Sequence, residues 1–231
     1  NNDFMNMPDI ENLLSKEIIN SKLYKDSLTH RSASNINNER LEFFGDSILG
    51  LVITEYLYKK YPNDDEGSLS RKRSYLVRKE SLYKIAKFYN LGDKIILGQG
   101  EKKSGGHRRE SIIADALEAL IGVVYLIDGT DSAEKFVHSI FEKSFDSLPT
   151  NEDLKDPKTK LQEILQSYNY DLPEYYTTEI NQKNKISFKT LCKIKEHKIC
   201  EEGFGSNKRK SQQEAARKTL SIISNIFNKN E

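Results

Sequence analysis

Two short stretches place carboxylates where a helix ordinarily puts apolar side chains. In Asn38-Glu39-Arg40-Leu41-Glu42-Phe43-Phe44-Gly45-Asp46-Ser47, the acids Glu39, Glu42 and Asp46 fall at i, i+3 and i+7, on one helical face. The same face continues through Leu49, Ile53 and Leu57, so the acids extend a core stripe. The second stretch, Ile112 to Ile127, has sixteen residues and only two charges, Asp115 and Glu118, three apart and both negative. Like charges in such apolar company resist ionisation, and a bound cation is the usual remedy. Carboxylates with no Cys or His in either stretch favour Mg²⁺, with Mn²⁺ as a substitute, over Zn²⁺. Two plainer readings stand beside this one. The first triplet also suits a solvated surface face, and buried acids also pair with cations such as Arg40, Arg108 or Arg109.

The helices that carry these acids belong to a long, charged chain. At 231 residues it has room for one large domain or two ordinary ones. Charged residues make up 31% of it and the mean hydropathy is −0.69. The longest apolar runs, Ile48–Ile53 and Ile121–Ile127, are too short to span a bilayer, so no membrane partner is expected. No N-terminal segment has the charged-then-apolar build of a secretory signal. Cys192 and Cys200 make a disulfide framework unexpected, and the reading is a reducing cytoplasm. Residues 1–150 carry 21 basic and 23 acidic side chains, whereas residues 151–231 carry 15 and 12. The asymmetry is small and gains meaning only from local clustering.

Periodicity predicts helices over Ile10–Ile19, Lys22–His30, Glu39–Tyr58, Ser68–Val77, Ser81–Tyr89, Ser111–Ile127 and Ser132–Phe145. Asn38 is the expected N-cap of the first acidic helix. The glycine-punctuated, basic stretch from Gly98 to Arg109 reads as a loop that either holds phosphate or is a solvated connector. It lacks the Gly-Lys-Ser/Thr ending of a nucleotide-binding P-loop. Residues 149–155 read as a linker. Beyond it, Asp156-Pro157 opens a helix to about Tyr168. Strands follow at Tyr175–Ile180, at Ile186–Lys195 with alternating burial and a basic outer face, and at His197–Glu202. Gly203-Phe204-Gly205-Ser206 is read as a turn into a last helix with core stripe Ala216, Leu220, Ile223 and Phe227. The fold class expected is an all-α domain over 1–148, then a small α+β domain of order α-β-β-β-α over 156–231.

Asn38–Leu49 closely resembles the signature of bacterial ribonuclease III, as do Asp65-Glu66-Gly67, Ser104-Gly105-Gly106 and Ala114–Gly122. Asp156–Glu163 and the Gly203–Lys210 turn resemble a double-stranded-RNA-binding domain. In order, these motifs span nearly the whole chain. The resemblance implies a Mg²⁺-dependent endonuclease that cuts double-stranded RNA, as in rRNA and mRNA processing. It would leave 5′-phosphate and 3′-hydroxyl ends with short 3′ overhangs. By motif position, Glu42, Asp46, Asp115 and Glu118 match metal ligands, with Asp46 and Glu118 also catalytic. Glu39 and Glu66 match acids that assist cleavage. Phe43 matches a residue that packs into the partner of a homodimer. Thr159, Gln162, Glu163, Lys183, Lys208, Arg209 and Lys210 are the implied RNA contacts. The loop 181–185 lacks the Gly-Pro-x-His pattern common there, and Ser211 and Glu214 stand where the family usually has alanine. Both are read as exposed.

Two other functions compete. A duplex-RNA binder that does not cut would share this build, but all six acids are present. Gly45-Asp46-Ser47 also matches part of a serine-esterase motif. That chemistry needs a His base oriented by an acid, and here the motif lies inside a predicted helix.

Overall fold

The computed structural model describes residues 8–182 and 185–227. The chain forms two compact units that part between Asn151 and Glu152. In the first unit, helices α1 (Lys16–Ile19), α2 (Lys22–Ser27), α3 (Glu39–Lys60), α4 (Glu66–Val77), α5 (Lys79–Phe88) and α6 (Gln99–Lys103) lead to a long α7 (Glu110–Asp146). Residues Ala116–Val124 of α7 are all buried, and α3 and α5 pack against it. A helix apolar on nearly every side can only sit inside a bundle. Leu49, Ile53 and Leu57 of α3 are 0%, 0% and 1% exposed. Full burial of such side chains stabilises the fold by about 1.5–3 kcal/mol each. The run Glu110–Asp146 is interrupted at Gly129, whose φ of 84° and ψ of −176° are non-helical. Two helices therefore meet there, as the separate predictions over Ser111–Ile127 and Ser132–Phe145 require.

Several local expectations need correction. The predicted helix over Ile10–Ile19 is divided: a 3₁₀ turn spans Ile10–Leu13, and Ser15 then caps α1 by accepting a hydrogen bond from Ile18 N at 3.2 Å. Asn38 stands at the N-cap position of α3 in a helical conformation (φ −81°, ψ −9°) and makes no side-chain cap bond. Asn37 instead accepts from Glu39 N at 3.0 Å. The glycine-rich stretch is not all loop, because α6 and a 3₁₀ turn at Gly106–Arg108 form within it. A short helix, α8 (Asn151–Leu154), occupies part of the segment read as linker.

The second unit runs α9 (Pro157–Ser167), β1 (Glu174–Gln182), β2 (Lys185–Ile194), β3 (Ile199–Gly205) and α10 (Lys208–Phe227). The strands form one antiparallel sheet in the order β1-β2-β3. Leu161 and Leu165 of α9, Cys192 and Ile194 of β2, and Ala215, Ala216, Ile223 and Phe227 of α10 make its core. Gly203 is not a turn residue but part of β3. A Cβ there would lie 2.2 Å from Ala215 N, so its missing side chain lets α10 rest directly on the sheet. Ser211, read as exposed, is fully buried. Its hydroxyl meets Thr190 Oγ1 at 2.8 Å, and Thr190 in turn meets Thr177 Oγ1 at 2.8 Å.

Candidate metal centre and nucleic-acid interface

The acidic centre exists because α3 and α7 cross almost in backbone contact. A Cβ on Gly45 would lie 1.8 Å from the carbonyl oxygen of Glu118, and one on Gly122 would lie 2.9 Å from that of Leu41. These two glycines let the helices approach at the level of the acids. Glu42 lies one turn before Gly45 on α3, and Asp115 lies one turn before Glu118 on α7. Glu42, Asp115 and Glu118 each turn a carboxylate oxygen into one space, all within 4.8 Å of one another.

Glu118 is the buried member, 6% exposed. Burial, followed by the charges of Asp46 and Glu42, pushes its carboxyl up to about 8 from an ordinary 4.5. Burial and the neighbouring Asp115 charge also raise Glu42. The group is thus short of positive charge. Three clustered carboxylate oxygens are a hard donor set that fits a divalent cation such as Mg²⁺. Among the described residues, the counter-charge that reaches them is Lys79, which hydrogen-bonds Asp115 Oδ1 and lies 3.9 Å from Glu42 Oε1. Arg40, Arg108 and Arg109 are exposed, and Arg109 pairs with Glu101 at 2.8 Å.

The other predicted acids stand around this group. Asp46 is exposed and outside the three-acid set, yet near enough for its charge to act on Glu118. Glu39 is exposed and pairs with Arg31 at 3.2 Å. Glu66 opens α4 and lines a separate pocket with Tyr58 and Arg73. Sequence reasoning missed Lys79, and also a cleft of about 490 Å³ in which His30, Arg31, Glu101 and Arg109 surround Glu42 and Asp115. Neither carries a local signal, since both arise from segments distant along the chain. Along the outer face of α3, Phe43, Leu51 and Tyr58 are 78%, 60% and 73% exposed.

In the second unit, Lys208, Arg209 and Lys210 occupy the exposed first turn of α10. Their charge adds to the positive end of the helix dipole. Gln162 and Glu163 are exposed on α9, with Glu163 paired to Lys155 at 2.5 Å. Thr159 donates to Asp156 Oδ2 at 2.8 Å and so helps cap α9. Lys158 donates to Gln212 Oε1 at 2.8 Å, tying the start of α9 to the start of α10. Lys183 lies outside the described residues.

A carboxylate centre on a helical bundle, followed by an α-β-β-β-α unit with a basic helix start, defines a nuclease that carries its own RNA-binding domain. Residues 20–144 match the family model described as ribonuclease-III-like, and residues 157–223 match that of the double-stranded RNA binding motif. "Ribonuclease 3" of Shewanella denitrificans is 44% identical over 94% of this chain and 97% of its own. The nuclease-domain crystal structure of ribonuclease III from Campylobacter jejuni superposes with a TM-score of 0.56. It is 42% identical and covers 61% of this chain and 96% of its own. A second structure of that domain, described for flexibility in a region involved in dimer formation, gives 0.56 at 41% identity, with 61% and 99% covered. This chain belongs to the ribonuclease III family and is an endoribonuclease.

Proposed function

We propose that this chain cuts double-stranded RNA by Mg²⁺-dependent phosphodiester hydrolysis, leaving 5′-phosphate and 3′-hydroxyl ends with short 3′ overhangs. The convergence of Glu42, Asp115 and Glu118 within 4.8 Å at the glycine crossing carries this reading. These three residues, with Asp46 beside them, would hold the cation. When bound, the cation supplies an activated water and a sink for negative charge on the leaving oxygen. Burial, with the charges of Asp46 and Glu42, disfavours the ionised form of Glu118, and a bound cation would favour it, so its ionisation is coupled to loading of the centre. Asp46 is exposed, so its carboxylate is reachable from solvent. Glu39 and Glu66 are proposed to assist, Glu39 from the rim of the same cleft.

The domain division is nuclease 1–148, linker 149–155 and RNA-binding domain 156–231, which the parting of the two units near Asn151 supports. A-form RNA offers 2′-hydroxyls in a shallow minor groove and phosphates between grooves. Thr159, Gln162 and Glu163 are assigned to the minor groove, and Lys208, Arg209 and Lys210 to phosphates. Lys183 is the proposed contact from the β1–β2 loop. The chain works as a homodimer through the apolar outer face of α3 centred on Phe43, each subunit cutting one strand. The Campylobacter structure described for dimer formation supports this partner. Processing of rRNA and mRNA in the cytoplasm is the proposed setting. No helix among the described residues is long and apolar enough to cross a membrane.

Incubating long duplex RNA with Mg²⁺, or with excess chelator, tests the reading. Products with 5′-phosphate ends should appear only with the metal. Binding without metal-dependent cleavage would overturn it.

A further inference from the structure

The acidic centre is touched by a lysine that the proposed hydrolysis does not use. Lys79 is the first residue of α5, directly after the extended Arg78 (φ −64°, ψ 149°) that separates α4 from α5. Its ammonium hydrogen-bonds Asp115 Oδ1 and lies 3.9 Å from Glu42 Oε1, so it contacts two of the three converging carboxylates. The backbone beneath it is fixed, because Leu82, Ile85 and Ala86 bury the inner face of α5. The side chain itself is 54% exposed, which leaves a long flexible stem an open route to solvent.

Resting on the metal-dependent reading above, we propose that Lys79 is a built-in counter-ion of the metal-free centre and gives up its place to the divalent cation. The ammonium holds Glu42 and Asp115 together before loading. It cannot remain on Asp115 Oδ1 when that oxygen turns to a dication, since two positive centres would then share one carboxylate. Binding therefore includes the work of releasing Lys79, and the protein's affinity for its metal is set below what the three acids alone would give. A cation site so weakened fills readily only where other negative charge assists, as RNA phosphates do.

The test titrates Mn²⁺ into chelator-stripped full-length protein by calorimetry, for the native chain, Lys79→Gln and Lys84→Gln. Lys84 sits on the same helix, loses the same charge and pairs with Glu80 at 2.7 Å, away from the three acids. Without Lys79, loading no longer has to break an ammonium–carboxylate attraction at about 4 Å in a water-exposed site, and binding should tighten about tenfold. Lys79→Gln should show this and Lys84→Gln should match the native chain. Equal affinity in Lys79→Gln overturns the proposal. Weaker binding also overturns it and makes Lys79 a residue that positions Asp115. Equal tightening by Lys84→Gln reduces the effect to net charge and overturns the exchange as well. If the native chain binds no Mn²⁺ that Asp115→Asn removes, the metal-centre reading fails first and the exchange fails with it.

Discussion

Glu118→Gln should make the metal-free protein more stable at alkaline pH while destroying its activity. Between 4.5 and about 8 the folded chain holds a proton on Glu118 that the unfolded chain has released. Stability from this group is therefore full at low pH and is lost as pH rises through that window. At about 1.4 kcal/mol per pH unit, the whole interval corresponds to a ceiling of about 5 kcal/mol. Water reaching the part-exposed Glu42, Asp115 and Lys79 beside Glu118 screens part of this, and we expect about 2 kcal/mol at pH 8. Gln keeps the shape and never ionises, so the variant escapes that loss. At pH 5 the two proteins should differ by less than about 1 kcal/mol. The assay is urea unfolding in chelator at both pH values, followed by far-ultraviolet circular dichroism. Cleavage of duplex RNA in Mg²⁺ is measured in parallel and should be abolished. Added Mg²⁺ should raise the native chain's stability at pH 8 and leave the variant unmoved. A variant less stable than the native chain at pH 8, or a gap equal at pH 5 and pH 8, would refute the reasoning. It would mean that Glu118 is ionised and satisfied by the protein alone.

Gly45→Ala should cost about 3 kcal/mol or more and abolish cleavage, because its Cβ meets the Glu118 carbonyl at 1.8 Å; chemical unfolding and the cleavage assay check both. Replacing Lys208, Arg209 and Lys210 with Ala should weaken duplex binding and reduce the salt slope by about 2 to 3. An unchanged slope in a filter-binding series at several salt concentrations would move the phosphate contacts elsewhere. Phe43→Asp should shift sedimentation from dimer to monomer, and an unaltered profile would exclude this face as the contact.

Most of the architecture was legible because its signals are local. The 3.6-residue stripe of Leu49, Ile53 and Leu57 predicts its own burial, and the alternation along β2 predicts its two faces. Gly129 was hidden as a break, although the separate helices on either side were not. The carboxylates were legible as residues but not as a constellation. Glu42 meets Asp115 only because Gly45 and Gly122 permit the crossing, a long-range fact that neither segment states alone. Asp46, by motif an equal of Glu42, stands outside the three-acid set. Lys79 was invisible for a similar reason: one lysine in a charged stretch has no feature marking where its side chain ends. The short elements α6 and α8 fell within glycine-rich or polar sequence, where composition argues against helix. Ser211 was misjudged because polarity suggests exposure unless a buried hydroxyl partner, here Thr190, is known.

The hydroxyls beneath α10 form one connected series. Ser211 donates to the carbonyl of Lys208 at 3.0 Å, so its oxygen must receive the Thr190 proton. Thr190 must then receive from Thr177, which in turn receives from the amide of Gln212 at 3.2 Å. The hydroxyl protons run from β1 through β2 to the first turn of α10, the helix that bears the three basic residues, and the Gln212 amide closes the series from α10 back onto β1. Replacing Thr190 with Val would take a hydrogen-bond partner from both Thr177 and Ser211. The turn that carries the basic cluster is thus fastened to the sheet by a hidden line of alcohols.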